Sequence, residues 1–229
     1  MAGKGASRPA GEGDAEGRTR TLEMNPISRE TAARLDRFVA VLRRWQPVVP
    51  LVSASTYPAL WTRHVGDSLQ LFGVSPQTRV WVDFGSGGGF PGLVVACALA
   101  GLPGACVHLI ERHGKKAAFL REAVRATGAA AVVHQGRVEA VVPHLDGIEM
   151  VTARAFARLP VLVDLAEPLL KKQAEALFLK GEEVAAELTE VSKCWKIVVN
   201  LIPSQSDPRG RIVHIRSALR RSPGSPTQS

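Results

Sequence analysis

The residues best suited to chemistry lie in a glycine-rich turn. The stretch "WVDFGSGGGFPG", from Trp81 to Gly92, follows an apolar run and contains Gly85, Gly87 and Gly89. Glycine adopts backbone conformations that other residues avoid, and it leaves room for a ligand to lie against the main chain. A strand, such a turn and then a helix are typical of a site that binds a nucleotide-like ligand. A turn of this kind also occurs for purely structural reasons.

Glu111 makes the ligand interpretation more specific. It ends the next apolar run, "CVHLIE", where the two oxygens of a carboxylate can accept hydrogen bonds from both hydroxyls of a ribose. Turn and acid together predict a cofactor that contains adenosine, either NAD or S-adenosylmethionine. The dinucleotide fingerprint has a glycine three residues after G-x-G, whereas Phe90 occupies that position here. The spacing therefore favours S-adenosylmethionine.

The segments around these residues predict an α/β fold. From Arg79 onward strand and helix patterns alternate, which is typical of a parallel sheet covered by helices on both faces. The last two strands, "WKIVVNLI" and "RGRIVHIRS", are joined by a short turn and must run antiparallel. We expect a Rossmann-like, seven-stranded sheet with an antiparallel final strand. Two helical stretches precede it, one capped by Ser28 and one from about Pro58 to Leu71, and they form an N-terminal helical cap.

Composition sets the expected boundaries. Residues 1–24 contain glycine, alanine and charges of both signs without an apolar core, so they are predicted to be a disordered tail and not a secretory signal. The helical cap is expected over residues 25–75 and the main domain over residues 76–218. Residues 219–229 are predicted to be a second disordered tail.

Charge and cysteine content restrict the class of protein further. The chain has 29 Lys and Arg against 21 Asp and Glu, a net charge of +8 that favours a polyanionic partner such as nucleic acid, although a basic balance alone does not require one. The longest apolar segment is broken by Gly101 and Pro103, well short of the roughly 20 residues of a membrane helix. Three cysteines without disulfide or zinc spacing indicate no metal site and a reducing, cytoplasmic location.

Six short motifs occur in order along the chain: "RHVGDS", "GSGGGFPG", "FLRE", "GRVEA", "ARAFA" and "LKG". With them the chain, from roughly Ser28 to Arg216, resembles the small-subunit ribosomal RNA methyltransferase G family (RsmG, also called GidB). The resemblance implies a class I S-adenosylmethionine-dependent methyltransferase that methylates N7 of one guanine in 16S ribosomal RNA. The implied partner is ribosomal RNA or the small ribosomal subunit, and a monomer is favoured.

The same resemblance implies roles for individual residues. It places Gly85, Gly87 and Phe90 in the cofactor loop, and Val138 and Glu139 beside the adenine of the cofactor. Arg154 of "ARAFA" matches the arginine of the family's site. On physical grounds Arg154 could bind the carboxylate of the cofactor or reach O6 of the guanine, and the sequence does not decide between them.

The motif "RHVGDS" has two interpretations. The resemblance favours site-facing roles, with Arg63 at the RNA and His64 among the catalytic residues. Alternatively, helical spacing pairs Arg63 with Asp67 and His64 with Ser68, which would only hold the cap to the main domain. Lys180 of "LKG" is equally suited to contact an RNA phosphate or to be a solvated charge.

Basic side chains also follow Glu111. Lys115, Lys116, Arg121 and Arg125 belong to the next predicted helix, and Arg121 and Arg125 point away from its apolar face. That position would permit contacts with an RNA backbone.

The reaction itself makes few demands on side chains. Guanine N7 has a free lone pair and no proton, so a methyl transfer to it needs positioning of the reactants and no general base. Alternative hypotheses are a methyltransferase of the same fold acting on another RNA, a small molecule or a protein, an RNA-binding module without a cofactor, and an NAD-dependent enzyme.

Overall fold

A single mixed sheet forms the centre of the protein. The computed structural model describes residues 10–221. The strands are β1 (Val80–Phe84), β2 (Cys106–Glu111), β3 (Ala131–Gln135), β4 (Met150–Arg154), β5 (Glu175–Lys180), β6 (Trp195–Pro203) and β7 (Arg211–Arg220). Their spatial order is β3-β2-β1-β4-β5-β7-β6. Neighbours from β3 to β5 are parallel, and β7 is antiparallel to both β5 and β6. The predicted sheet, with its antiparallel final strand, is confirmed.

Helices cover both faces of this sheet. They are α1 (Ala10–Met24), α2 (Arg29–Trp45), α3 (Asp67–Val74), α4 (Gly92–Leu99), α5 (Gly114–Thr127), α6 (Val138–Val141), α7 (Leu159–Leu170) and α8 (Val184–Cys194). One core joins Trp81 of β1 to α2, α4 and α5, and the other joins Phe84 of β1 to α7 and Phe178 of β5. The central strands β1 and β4 are buried on both faces and are mostly apolar, whereas the edge strands β3 and β6 are partly exposed.

Helix α2 forms as its sequence predicts. The Oγ of Ser28 accepts a hydrogen bond from the backbone N–H of Thr31, which satisfies one of the free donors at the helix start. Leu35, Phe38 and Leu42 recur at helical spacing and are fully buried. The apolar face of α2 thus fixes the cap on the main domain.

The prediction of a disordered tail over residues 1–24 is wrong for residues 10–24, which form α1. Residues 1–9 lie outside the described part of the chain. Helix α1 has no strong apolar stripe, and ionic contacts hold it instead. Arg18 donates two hydrogen bonds to the carboxylate of Asp36, at 2.7 and 2.8 Å, and its guanidinium lies 5.6 Å from the ring centre of Trp61. Asp14 pairs with Arg43. Tertiary contacts therefore stabilise a segment whose composition favours disorder.

The predicted tail over residues 219–229 is also partly wrong. Strand β7 continues to Arg220, and residues 222–229 lie outside the described part of the chain. The guanidinium of Arg220 lies 4.5 Å from the ring centre of Trp195 and donates to Asp164 at 2.9 Å. Pairing with β6 and these side-chain contacts keep the end of β7 in the sheet.

The second predicted helical stretch is not one regular helix. A 3₁₀ turn (Tyr57–Ala59) leads into a π-helix (Leu60–Gly66), and α3 follows directly. In a π-helix the backbone hydrogen bonds join residues five apart, and such turns often occur at functional sites. The wider turn changes which side chains share a face, and Arg63 and His64 both lie within it.

Candidate active site

The candidate site lies where the connections of the sheet change direction. Strand β1 pairs with β2 on one side and with β4 on the other, so the chain leaves this point in opposite directions. In open α/β sheets a crevice forms at the carboxyl ends of the strands at such a position. The register places Phe84 beside both Ile110 and Ala153. The glycine turn, Glu111 and Arg154 therefore meet at one edge of the sheet.

A cleft of about 400 Å³, called here the cofactor cleft, opens at this edge. Its walls include five of the predicted cofactor residues: Gly85, Gly87, Glu111, Val138 and Glu139. The predicted Phe90 is not part of the wall. It is 7% exposed and packs behind the glycine turn against Phe38, with ring centres 5.1 Å apart.

Glu111 holds the glycine turn against β2. Its Oε2 accepts a hydrogen bond from the backbone N–H of Gly87 at 2.9 Å, and its Oε1 accepts from the N–H of His113 at 2.7 Å. The side chain is only 4% exposed. Each carboxylate oxygen has a second lone pair, so both can still accept from a ribose hydroxyl. Glu111 is thus both a brace for the turn and a candidate ribose ligand.

The glycines of the turn allow other groups to approach its backbone closely on two sides. Gly85 and Gly87 have φ angles of +67° and +48°, which favour glycine, and a Cβ on Gly85 would lie 2.2 Å from the ring of Phe156. On the other side, a Cβ on Gly88 would lie 2.7 Å from the carbonyl oxygen of Leu51 in the cap. One end of the turn therefore faces the cofactor cleft, and the other end lets the cap approach.

Phe156 is a site residue that the sequence analysis overlooked, although it lies within the quoted motif "ARAFA". Its ring is 40% exposed, lies over Gly85 and lines the cofactor cleft. The signal was available, because an aromatic residue directly after a strand end faces the ligand side of this architecture.

Asp83 is a second overlooked residue. It is fully buried in β1, where its carboxylate accepts hydrogen bonds from Thr152 Oγ1 at 3.0 Å and from the N–H of Gly92 at 3.2 Å. Burial raises the pKa of Asp83 to about 7. Asp83 therefore joins β1, β4 and the start of α4 beneath the turn. An acid inside an otherwise apolar strand was the sequence signal for it.

A second cleft, of about 250 Å³ and called here the target cleft, adjoins the first. Its walls include Arg63, Asp67, Arg154 and Lys180. Ala155 lines both clefts, so they meet at the carboxyl end of β4. This arrangement suits a reaction in which a group passes from a ligand in one cleft to a ligand in the other.

Arg154 lies at that junction with an unused donor. Its Nη1 is buried and has no hydrogen-bond partner within residues 10–221. Burial lowers the pKa of Arg154, Asp67 opposes this shift, and Arg63 adds to it. A buried guanidinium nitrogen without a hydrogen-bond partner costs folding free energy. A ligand that accepts a hydrogen bond from it would therefore gain binding free energy.

Contacts with the β6–β7 loop replace the Arg63–Asp67 pair that spacing suggested for "RHVGDS", whereas Ser68 Oγ does donate to the carbonyl oxygen of His64, at 2.6 Å. Arg63 Nη1 donates to Asp207 Oδ2 at 2.9 Å, and Asp67 accepts from the hydroxyls of Ser204 at 3.1 Å and Ser206 at 2.5 Å. Arg63 and Asp67 do not pair with each other among the described residues. The loop partners could not be found from the sequence, because they lie about 140 positions away.

His64 is 7% exposed, and its imidazole contacts Thr56 and Phe90. Its Nε2 lies 2.9 Å from Thr56 Oγ1, and its ring centre lies 5.0 Å from that of Phe90. Burial, with the positive charges of Arg154 and Arg63, lowers the pKa of His64 to about 3. The imidazole is therefore neutral at physiological pH. A catalytic role for His64 stays a prediction.

Lys180 is already paired. Its Nζ lies 2.8 Å from Glu187 Oε2 and donates to the carbonyl oxygen of Ala157 at 3.1 Å, and the side chain is 12% exposed. This position fits neither a freely solvated charge nor an unengaged phosphate ligand. Contact of Lys180 with RNA stays a prediction.

No helix within residues 10–221 combines the length and apolar character that a membrane span requires.

Comparisons with known proteins identify the family. The family model for rRNA small subunit methyltransferase G (GidB) matches residues 31–209. A relative from Bradyrhizobium sp. (strain BTAi1), named ribosomal RNA small subunit methyltransferase G, is 56% identical over 195 residues, covering 85% of this chain and 88% of the relative. A relative of the same name from Nitrobacter hamburgensis is 54% identical, covering 87% of this chain and 77% of the relative.

Solved structures agree on the fold. The cofactor-bound structure of Rv0187 from MTB matches with a TM-score of 0.57 at 17% identity, over 92% of this chain and 98% of that one. A putative O-methyltransferase from Klebsiella pneumoniae matches with a TM-score of 0.56 at 11% identity, over 89% and 96% of the two chains. Fold, motifs and relatives lead to one conclusion: the chain belongs to the ribosomal RNA small subunit methyltransferase G (GidB) family.

Proposed function

We propose that this protein transfers the methyl group of S-adenosylmethionine to N7 of one guanine in small-subunit ribosomal RNA. Family membership and two clefts that meet at Ala155 support this function. The observation that carries it is the buried Arg154 Nη1, which lies at the junction of the clefts and has no hydrogen-bond partner in the described part of the chain.

The residues of the cofactor cleft fit S-adenosylmethionine. When bound there, the cofactor supplies an electrophilic methyl group on its sulfonium. The free lone pairs of the Glu111 carboxylate are suited to the ribose hydroxyls. Val138 and Glu139, at the start of α6, border the cleft where the resemblance expects the adenine. Gly85 and Gly87 keep side chains out of the ligand's space.

The target cleft supplies orientation. Arg154 can donate to O6 of a guanine, and this contact discriminates against adenine, which presents an amino group at that position. The alternative, a bond from Arg154 to the carboxylate of the cofactor, uses the same free nitrogen. Neither role requires proton transfer, because guanine N7 carries no proton. The neutral, buried His64 fits a supporting role behind Phe90.

Arg63 and Lys180 are the proposed RNA contacts within this cleft. Arg63 is the more accessible of the two, with a side chain 34% exposed and a buried Nε that no described residue contacts by a hydrogen bond. We propose that the protein acts as a monomer and, because its substrate is ribosomal, that it acts in the cytoplasm.

The test is methyl transfer from labelled S-adenosylmethionine to small ribosomal subunits taken from cells that lack this protein. N7-methylguanine weakens the adjacent glycosidic bond, so strand scission at the modified nucleotide maps the label. We expect label at a single guanine. Large subunits serve as one control and should remain unlabelled, and the Arg154→Ala variant serves as a second control and should label small subunits far more weakly than the wild type.

The opposite result has a clear meaning. If the protein binds S-adenosylmethionine but labels no RNA, the proposed substrate is wrong and the methyl acceptor is a protein or a small molecule. Label at a position resistant to scission would keep the RNA substrate and exclude N7 as the acceptor.

A further inference from the structure

Exposed positive charges are distributed unequally between the two edges of the sheet. On the β6 side most of them are neutralised by neighbouring acids. The pairs are Arg158 with Glu190, Lys171 and Arg220 with Glu167, Lys172 with Asp146, and Arg209 with Glu182. This side of the molecule therefore presents a mixed surface.

The β3 side is different. Six basic residues there pair with no carboxylate among residues 10–221, and we call them the cationic face: Arg112 after β2, Lys115, Lys116, Arg121 and Arg125 on α5, and Arg137 after β3. The nearby acid Glu122 is already occupied, because it accepts from Arg44 at 2.6 Å and from the indole N–H of Trp45 at 2.9 Å. The guanidinium of Arg121 donates to the amide oxygen of Gln135, at 3.4 and 3.5 Å, and to no carboxylate among the described residues.

The cationic face is continuous with the cofactor cleft. Arg112, Lys116 and Arg137 line the mouth of that cleft. Lys115, Arg121 and Arg125 are exposed and extend the positive charge along α5, over about 15 Å at 1.5 Å per residue. The face thus begins beside the site and leads away from it.

The cofactor does not account for these charges. S-adenosylmethionine has no phosphate, and its sulfonium and ammonium groups outnumber its single carboxylate. A row of cations around its binding cleft would repel it slightly, so a different ligand must explain the row. Several unpaired cations along one helix are instead typical of contacts with a nucleic-acid backbone.

We propose that the cationic face binds the phosphodiester backbone of the RNA strand that delivers the guanine. The inference rests on the proposed function and adds the path of the substrate. With the base in the target cleft, the strand crosses the mouth of the cofactor cleft and continues along α5. This path also places RNA over the bound cofactor before transfer.

The test compares two charge-matched variants. Arg121→Gln with Arg125→Gln removes two charges from the cationic face, and neither residue lines a cleft. Lys193→Gln with Lys196→Gln removes two exposed charges at the opposite edge of the sheet, where neither lysine has an ion pair among the described residues. Filter binding of each protein to small ribosomal subunits is measured across a series of salt concentrations, together with the affinity for S-adenosylmethionine.

Each phosphate contact contributes about 0.7 to 0.9 to the slope of log affinity against log salt concentration. We expect the α5 double variant to bind subunits about tenfold more weakly at low salt. Its salt slope should be shallower by roughly 1.5, the sum of two such contacts. The β6 double variant should match the wild type, and cofactor affinity should be unchanged in both.

Three outcomes would overturn the inference. Equal losses of affinity in the two double variants would mean that only net charge matters. No loss in the α5 variant would remove this face from the RNA path. In that case methyl transfer by the wild type would still support the proposed function. A wild-type protein that neither binds nor methylates subunits would instead overturn the proposed function, and the inference with it.

Discussion

The two clefts differ in how far apart in the sequence their lining residues lie. The cofactor cleft is built from successive strand ends and their turns, between Gly85 and Phe156. The target cleft brings together Arg63 of the cap, Arg154 of β4 and Asp207 of the β6–β7 loop. The first is an intrinsic part of the sheet, whereas the second exists only when the cap and the loop are docked.

This difference predicts which measurements distinguish the roles of the two clefts. Changes at the cofactor cleft should alter affinity for S-adenosylmethionine. Changes at the target cleft or at helix α1 should alter methyl transfer or stability while cofactor affinity is kept. The following predictions test this separation.

Arg154→Ala should have the largest effect, because it removes the unpaired donor at the junction of the clefts. We expect methyl transfer to small subunits to fall roughly a hundredfold to a thousandfold with the fold retained. Turnover and cofactor affinity are measured on the same preparation. Unchanged cofactor affinity assigns Arg154 to the guanine, and a parallel loss assigns it to the cofactor carboxylate. Normal turnover would remove Arg154 from the site.

Glu111→Gln should weaken cofactor binding. The substitution removes the charge from a buried carboxylate that accepts from two backbone amides and faces the cleft. Charged hydrogen bonds contribute about 1.5–3 kcal/mol, so calorimetry should show roughly a tenfold to hundredfold loss of affinity. Glu139→Gln changes an exposed acid of the same cleft and should cost only a few-fold. Equal losses in both variants would contradict the role given to Glu111.

His64→Gln should change the dependence of stability on pH. The pKa of His64 is about 3 in the folded protein against an ordinary 6.5, so the unfolded chain takes up a proton first as pH falls below 6.5. Folding stability is therefore lost as pH falls, by about 2 kcal/mol at pH 5 relative to pH 7 from this group.

Urea unfolding at pH 7 and pH 5 checks this prediction. The variant should lose about 2 kcal/mol less than the wild type between the two values. His144→Gln, at an exposed histidine, should behave as the wild type does. A variant as acid-sensitive as the wild type would show that His64 is not held neutral.

Arg18→Met should have the smallest effect. It breaks the two hydrogen bonds to Asp36 and the contact with Trp61 of the π-helix. The side chains of Arg18 and Asp36 are both partly exposed, which limits the stability that their ion pair contributes. We expect a loss of about 0.5–1 kcal/mol in stability and a few-fold loss of methyl transfer, with cofactor affinity unchanged. Arg44→Met breaks a pair that does not involve α1 and should leave transfer unaltered. Reduced cofactor affinity in the Arg18 variant would contradict the separate roles of the two clefts.

Sequence reasoning found residues that line one cleft where their positions depend on local order along the chain, and their binding of the cofactor stays a prediction. A strand end, a glycine turn and an acid at the next strand end identify the cofactor cleft, because parallel strands bring their carboxyl ends to one edge. It failed for Asp207 and Ser206, which reach Arg63 and Asp67 only after the whole sheet has formed.

Helix α1 illustrates the other limit. Its composition predicts disorder, and its stability comes from partners such as Asp36 and Trp61 in other helices. Periodicity also could not reveal the π-helix, because one widened turn leaves the apolar pattern nearly unchanged. Contacts between distant segments, not local preference, decide both features.

The glycine turn has a thermodynamic consequence. Gly87 is held by Glu111 on the ligand side, and the adjacent Gly88 lies against Leu51 of the cap. A ligand that orders this turn must also order the segment around Leu51 that rests on it, and by reciprocity loosening of that segment must weaken binding of the ligand. Slower amide hydrogen exchange around Leu51 on addition of S-adenosylmethionine would be the signature of that linkage.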